Sequence, residues 1–252
     1  MYLWQYWRDT RRPVYIYLGA LLLFVLIWLA GMIHANRIHR ISGNLWEPTV
    51  AITFAATLLC ALVMTFVLGN NNVGSEIQKG TGDFLLTRPR PRHYLVWAGW
   101  AAGMAEIIAL MTISAVVALG CSTLAVGPAL WRQARWTIRL NTDGPITSMP
   151  LIAVKLVLLA AVIFGLTYFL TVLFKNAVRG VVTSLAIVFG YYAVSEVLKQ
   201  WAGISLPALD FAQHAITPVP WYLAPRVEIL IWTILALAFP FGAQVALNRT
   251  DI

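Results

Sequence analysis

Charge is what this chain has least of. Only 11% of its 252 residues are Asp, Glu, Lys or Arg, while 60% are apolar; a soluble domain carries about 25% charged and about 45–50% apolar residues. So small a stock of charge cannot cover a water-facing surface, which excludes a soluble globular protein. Cysteine is equally scarce. Cys60 and Cys121 both lie inside apolar runs, so no disulfide framework exists to stabilise a small loop domain. The four histidines, His34, His39, His93 and His214, are scattered over three loops, with no His-Glu-x-x-His and no Cys/His cluster at zinc spacing. The sequence therefore predicts no metal site and no catalytic residues of its own. A Gly-x-x-x-x-Gly-Lys-[Ser/Thr] phosphate loop is missing as well, so any ATP must be hydrolysed on another chain. No bound cofactor and no nucleic-acid partner are expected.

What is present is a series of long apolar runs. Val14–Ile33, Val50–Leu68 and Ile229–Leu247 are uncharged over 20, 19 and 19 residues, each near the ~20 needed to cross a bilayer. Tyr94–Val126 has one charge, Glu106, and Leu151–Phe174 has one, Lys155; Gly180–Ser195 is uncharged and extendable at both ends. The expected architecture is an all-α polytopic membrane protein forming a single transmembrane domain over 1–252. Its six spans are placed at about 14–33, 50–68, 94–126, 151–174, 178–197 and 227–247. The first run is too long for a secretory signal core and reads as a retained helix.

Six spans place both termini on one side of the membrane. With the N-terminus inside, the cytoplasmic segments carry 10 Lys and Arg against 8 outside. Arg8, Arg11 and Arg12 flank the first span and Arg88, Arg90 and Arg92 directly precede the third, which favours cytoplasmic termini. Two segments have amphipathic spacing. Leu3, Tyr6, Trp7 and Thr10 line one helical face beside basic residues, predicting an interfacial N-terminal helix; an aromatic belt with topogenic arginines accounts for the same residues. Leu130–Leu140, with Arg132, Arg135 and Arg139 on a separate face, reads as a second interfacial helix. Its basic face suits the cytoplasmic leaflet, whereas six spans put it outside. Two short spans within 94–126 would remove that conflict, at about 16 residues each.

The most informative loop is Ser75–Arg92. Asn70-Asn71-Asn72 and Gly74 interrupt the second span, and Ser75 followed by Glu76 suits a helix start. Gly80 and Gly82 weaken that helix and suggest close approach or a bend. Phe84, Leu85 and Leu86 form an apolar cluster. Pro89 and Pro91 then hold Arg88 and Arg90 extended and lead a basic strap into the third span. Taken from the residues alone, the loop is either an interfacial linker whose arginines bind anionic lipid or a docking element for a cytoplasmic partner.

In its order of residues, Glu76, Gly80-Thr81, Leu85-Leu86, Pro89 and Arg92, this loop resembles that of the membrane subunits of type-2 ATP-binding-cassette (ABC) exporters. There a Glu, a Gly-Thr and a Leu-Leu-x-x-Pro-x-x-Arg follow one another between spans two and three. A basic residue that often follows in those proteins is replaced here by His93–Ala98. The resemblance implies a permease subunit of a prokaryotic plasma (inner) membrane. It implies that 76–86 is a cytoplasmic coupling helix, with Glu76, Gly80, Thr81, Asp83, Phe84, Leu85, Leu86, Pro89 and Arg92 at the ATPase-coupling interface. It implies short re-entrant helices between spans five and six, a second permease subunit, identical or related, and cytoplasmic ATPase partners that bind ATP and Mg. Membrane lipids are the remaining partner.

Two charges fall inside spans. Glu106 lies 12 residues after Tyr94, near mid-membrane if the span starts there, and an ionised carboxylate at that depth needs a partner, a proton or a wet cavity. It reads as a structural ion-pair partner of Lys155, a pathway acid or a proton relay. Lys155 stands near its span's outer end and can snorkel to the surface. Gly99 and Gly103 have the spacing of a helix-packing face. Beside the exporter stand three alternatives: a secondary carrier, a membrane-embedded enzyme and a non-transporting anchor for an ATPase. Neither inverted repeats nor a catalytic cluster support the first two.

Overall fold

The structure is a computed structural model of the chain and describes residues 2–39, 45–71, 73–80, 92–134, 137–139, 146–203, 206 and 225–249. Its helices are α1 (Tyr2–His39), α2 (Trp46–Gly69), α3 (Val73–Gln78), α4 (Arg92–Val126), α5 (Ala129–Gln133), α6 (Met149–Phe174), α7 (Ala177–Ala202) and α8 (Pro225–Asn248). Strands β1 (Thr137–Arg139) and β2 (Ile146–Ser148) lie between α5 and α6. Six of the helices, α1, α2, α4, α6, α7 and α8, contain apolar stretches of 22 to 34 residues. At 1.5 Å per residue each can cross a hydrocarbon layer about 30 Å thick, and the chain is a multi-pass membrane protein. The segment 94–126 is one helix rather than two short ones, so the number of spans stays even.

The centre of the bundle is α6. Of its most apolar window 78% is buried, against 11% for α7 and 22% for α1. Its sequence explains this: it is apolar on every side, so no face prefers water, and Ala160, Ala161 and Gly165 let neighbours approach. At Gly165 an added β-carbon would stand 3.2 Å from that of Phe239 on α8. Helices α2, α7 and α8 pack around α6, α4 packs closely on α2, and α7 rests mainly on α6. α1 lies along α4 through Thr10, Val14, Tyr17, Leu21, Val25 and Leu29, all buried and three or four residues apart.

Two expectations are corrected here. The N-terminal segment is not a separate interfacial helix: it continues into the first span as the single helix α1. Pro13 removes one backbone hydrogen bond without ending the helix, and Thr10 and Val14 on either side are buried against the bundle. The amphipathic helix expected over 130–140 is also absent. Helix α5 ends at Gln133, and Thr137–Arg139 pairs antiparallel with Ile146–Ser148, in the register Thr137↔Ser148, Ile138↔Thr147 and Arg139↔Ile146. The β-branched Thr137, Ile138, Ile146 and Thr147 favour strand, and the intervening Asn141-Thr142-Asp143-Gly144-Pro145 is a run of turn formers. Of the region between the expected spans 178–197 and 227–247, where re-entrant helices are predicted, 204, 205 and 207–224 lie outside the described residues, and α7 continues to Ala202.

Candidate functional site

α3 leaves the end of α2 and is held against the turn between α6 and α7. At Gly74 a β-carbon would meet the Thr171 carbonyl oxygen and would lie 2.7 Å from the Thr171 carbonyl carbon and 2.9 Å from Val172 Cα. Gly180 on α7 approaches the same residue from another side: its β-carbon would stand 2.7 Å from Thr171 Cα and 2.8 Å from Thr171 N. At Gly69, the last residue of α2, an added β-carbon would stand 2.9 Å from the Cβ of Thr167. Polar contacts reinforce the junction. The Ala177 amide donates to Gln78 Oε1 at 2.7 Å, the Arg179 amide donates to Asn176 Oδ1 at 3.0 Å, and the Thr167 and Ser184 hydroxyls share a hydrogen bond of 2.8 Å. Asn176 and Gln78 thus satisfy two of the amides that the first turn of α7 leaves open.

The loop residues singled out in sequence are distributed as follows. Glu76 lies on α3 and forms an ion pair with Lys79 at 3.1 Å, one turn away. Gly80 follows α3 with φ +78 and has nothing within 4 Å of an added β-carbon, so its glycine serves a turn rather than a close approach. The close approach belongs to Gly74. Arg92 is the first residue of α4. Thr81, Asp83, Phe84, Leu85, Leu86 and Pro89 lie outside the described residues.

The intramembrane charges pair differently from expectation. Lys155 Nζ meets Glu228 Oε2 at 3.1 Å, with 2% and 5% of the two side chains exposed. Lys155 therefore does not snorkel, and its partner is not Glu106. Glu228 immediately precedes the last apolar run, a position from which a carboxylate can fold back on the neighbouring helix. Glu106 instead accepts a hydrogen bond from Thr10 at 2.9 Å through Oε1, while its Oε2 is buried with no hydrogen-bond partner. Seven residues further along α1, Tyr17 shares a hydrogen bond of 3.1 Å with Ser114 and reaches the Ala56 carbonyl, near the middle of α2. Glu106 thus sits about two turns, roughly 11 Å, from the Tyr17–Ser114 contact, on the side of α3. Gly99 and Gly103 are both buried in α4.

A cleft of about 280 Å³ opens between α6, α7 and α8, walled by residues such as Leu159, Leu166, Val188, Tyr191, Trp232 and Phe239. Such a lining accepts an apolar group and offers nothing to an ion. Among the described residues no three His, Cys, Asp or Glu side chains come together as metal ligands.

Residues 30–252 match the family described as Protein of unknown function (DUF2705). The chain belongs to that family. No curated protein matches it. In this DUF2705 protein the matched stretch contains the α3 junction, Glu106 and the Lys155–Glu228 pair, while Thr10 and Tyr17, the α1 side of two interhelical contacts, precede it.

Proposed function

We propose that this chain is the membrane subunit of an ATP-driven exporter of the type-2 ABC class. In this reading two membrane subunits form the pathway, and separate ATPase subunits, with their ATP and Mg, dock on the loop 75–92 at the cytoplasmic side of a prokaryotic inner membrane. The observation that carries the reading is the ordered set Glu76, Gly80-Thr81, Leu85-Leu86, Pro89 and Arg92 between the second and third of six membrane helices. The location of α3 supports it, because a loop that is to receive force needs a firm connection to the spans. The termini are then cytoplasmic, and the Lys155–Glu228 pair lies towards the outside. The chain performs no ATP chemistry. ATPase closure displaces the docked loop, and rigid helices carry the displacement to the pathway.

Gly80→Trp and Leu86→Asp test this directly. At Gly80 a side chain has open space but a backbone conformation that L residues rarely adopt, so the substitution disturbs the loop and its partner rather than the bundle. Both variants are expected to insert and accumulate normally while losing a co-purifying ATPase. Retention of an undiminished ATPase by both variants sinks the proposal.

One observation favours a second reading, an ion-coupled secondary carrier: Glu106 has a buried oxygen without a hydrogen-bond partner. Proton-gradient-driven uptake into vesicles containing this chain and no ATPase would establish it in place of the exporter.

A further inference from the structure

The exporter reading says where force would enter but not how it leaves the loop. Covalently, α3 continues from α2, and the loop continues into α4. The tightest non-covalent contacts of α3 are with neither. Gly74 lies against the backbone of Thr171 and Val172 on α6, and Gln78 caps the first turn of α7. Gly180 brings α7 against that same Thr171, and Gly69 brings the end of α2 against Thr167 one turn earlier on α6. The contact at Gly74 is backbone to backbone, and at Gly180 the Thr171 hydroxyl stands with that residue's backbone against the added β-carbon, so little between the elements can absorb a displacement. Packed interiors of this kind transmit strain because they compress little.

We propose that Gly74, Gly180 and Gln78 are positioning residues that lock α3 and the α6–α7 turn into one block. Movement of the loop 75–92 then passes directly to α6, the central helix, and to α7. The inference rests on the exporter reading and adds the route by which that loop acts. Its geometric basis is the convergence of α3 and α7 on Thr171 of α6, together with a hydrogen bond that joins α3 to α7. A β-carbon at position 74 or 180 must displace backbone, which opens the joint without touching the residues of the loop that face outward.

The test uses the full chain, freed of Cys60 and Cys121, in complex with the ATPase that co-purifies with it. A single cysteine, Pro150→Cys, exposed at the far end of α6 just before the apolar run, reports movement through its rate of labelling by a membrane-impermeant maleimide, with and without ATP and vanadate. The unsubstituted joint is expected to show an ATP-dependent change in that rate. Gly74→Val and Gly180→Val are expected to reduce the change at least fivefold while ATPase binding and hydrolysis stay within twofold. Gly120→Val, where the added side chain meets open space, should leave it unaltered.

A merely structural role for the joint would lower ATPase binding in valine variants that accumulate normally, and that outcome overturns the proposal. So does an undiminished ATP-dependent change in both glycine variants. Gln78→Leu removes only the hydrogen bond and imposes no steric demand, so it carries the test if the valine variants fail to accumulate. A reduction of twofold or more supports the joint, and an unchanged response overturns it. If the unsubstituted chain retains no ATPase, the exporter reading falls and takes this inference with it; loss confined to the joint variants leaves that reading intact.

Discussion

Lys155 of α6 and Glu228 of α8 hold each other's charge at 3.1 Å, sealed from solvent between the central helix and the last. Neither ion could remain there alone, because removing one partner of a buried pair strands the other at a cost of about 3–5 kcal/mol, whereas replacing both by apolar groups is often neutral or stabilising. Lys155→Met and Glu228→Gln are therefore each expected to lower the melting temperature of the purified protein markedly. The double variant Lys155→Met/Glu228→Leu should recover most of the loss. A double variant as unstable as the sum of the singles would show that the two charges act independently.

A neutral contact links α4 to α8. Trp97 Nε1 donates to Gln244 Oε1 at 2.8 Å. Gln244→Leu leaves an indole N–H in an apolar setting without its acceptor, for a loss of about 1–3 kcal/mol. Trp97→Phe in the Gln244→Leu background removes the stranded donor and should regain part of it. Thermal unfolding monitored by size-exclusion chromatography reads both.

Glu106 needs one acceptor atom to keep Thr10 in place, and a glutamine supplies it through its side-chain oxygen. Glu106→Gln should accumulate and melt like the parent chain, while Glu106→Leu should behave like Thr10→Val, each losing the Thr10–Glu106 hydrogen bond. Normal assembly of Glu106→Gln with complete loss of transport would assign the carboxylate to the pathway instead.

Topology is open to a labelling test. With Cys60 and Cys121 replaced, Thr142→Cys in the segment between β1 and β2 should react with an impermeant maleimide from outside intact cells. Lys79→Cys beside α3 should react only after permeabilisation. The reverse pattern would invert the orientation and remove the cytoplasmic loop from which the exporter proposal starts.

Much of the fold was legible because bilayer thickness imposes one length on every span. Runs such as Val50–Leu68 and Ile229–Leu247 announce their helices without any knowledge of neighbours. Packing partners are a different matter. Lys155 reads as able to reach the surface because nothing local reveals that α6 is central, and nothing beside Glu228, one position before an uncharged run, reveals that its carboxylate meets that lysine. The strand pair after α5 was masked by arginines at helical spacing, although four β-branched residues around Asp143-Gly144 carried the opposing signal. At the α3 junction the sequence offers Gly80 for close approach or a bend, and the bend is what its positive φ shows. Gly80 turns the chain, and Gly74 admits a neighbouring backbone, a distinction that depends on where Thr171 lies.

The helix around which the others are arranged is fourth of the six in order of synthesis. When α1, α2 and α4 have entered the membrane, the surface of α2 that will face α6 still faces lipid, and the seats for Gly69 and Gly74 have not been made. Assembly of the first half must therefore wait for the second. A nascent chain halted after Gln133 would be inserted yet unfinished, a substrate for membrane quality control rather than a stable half-protein.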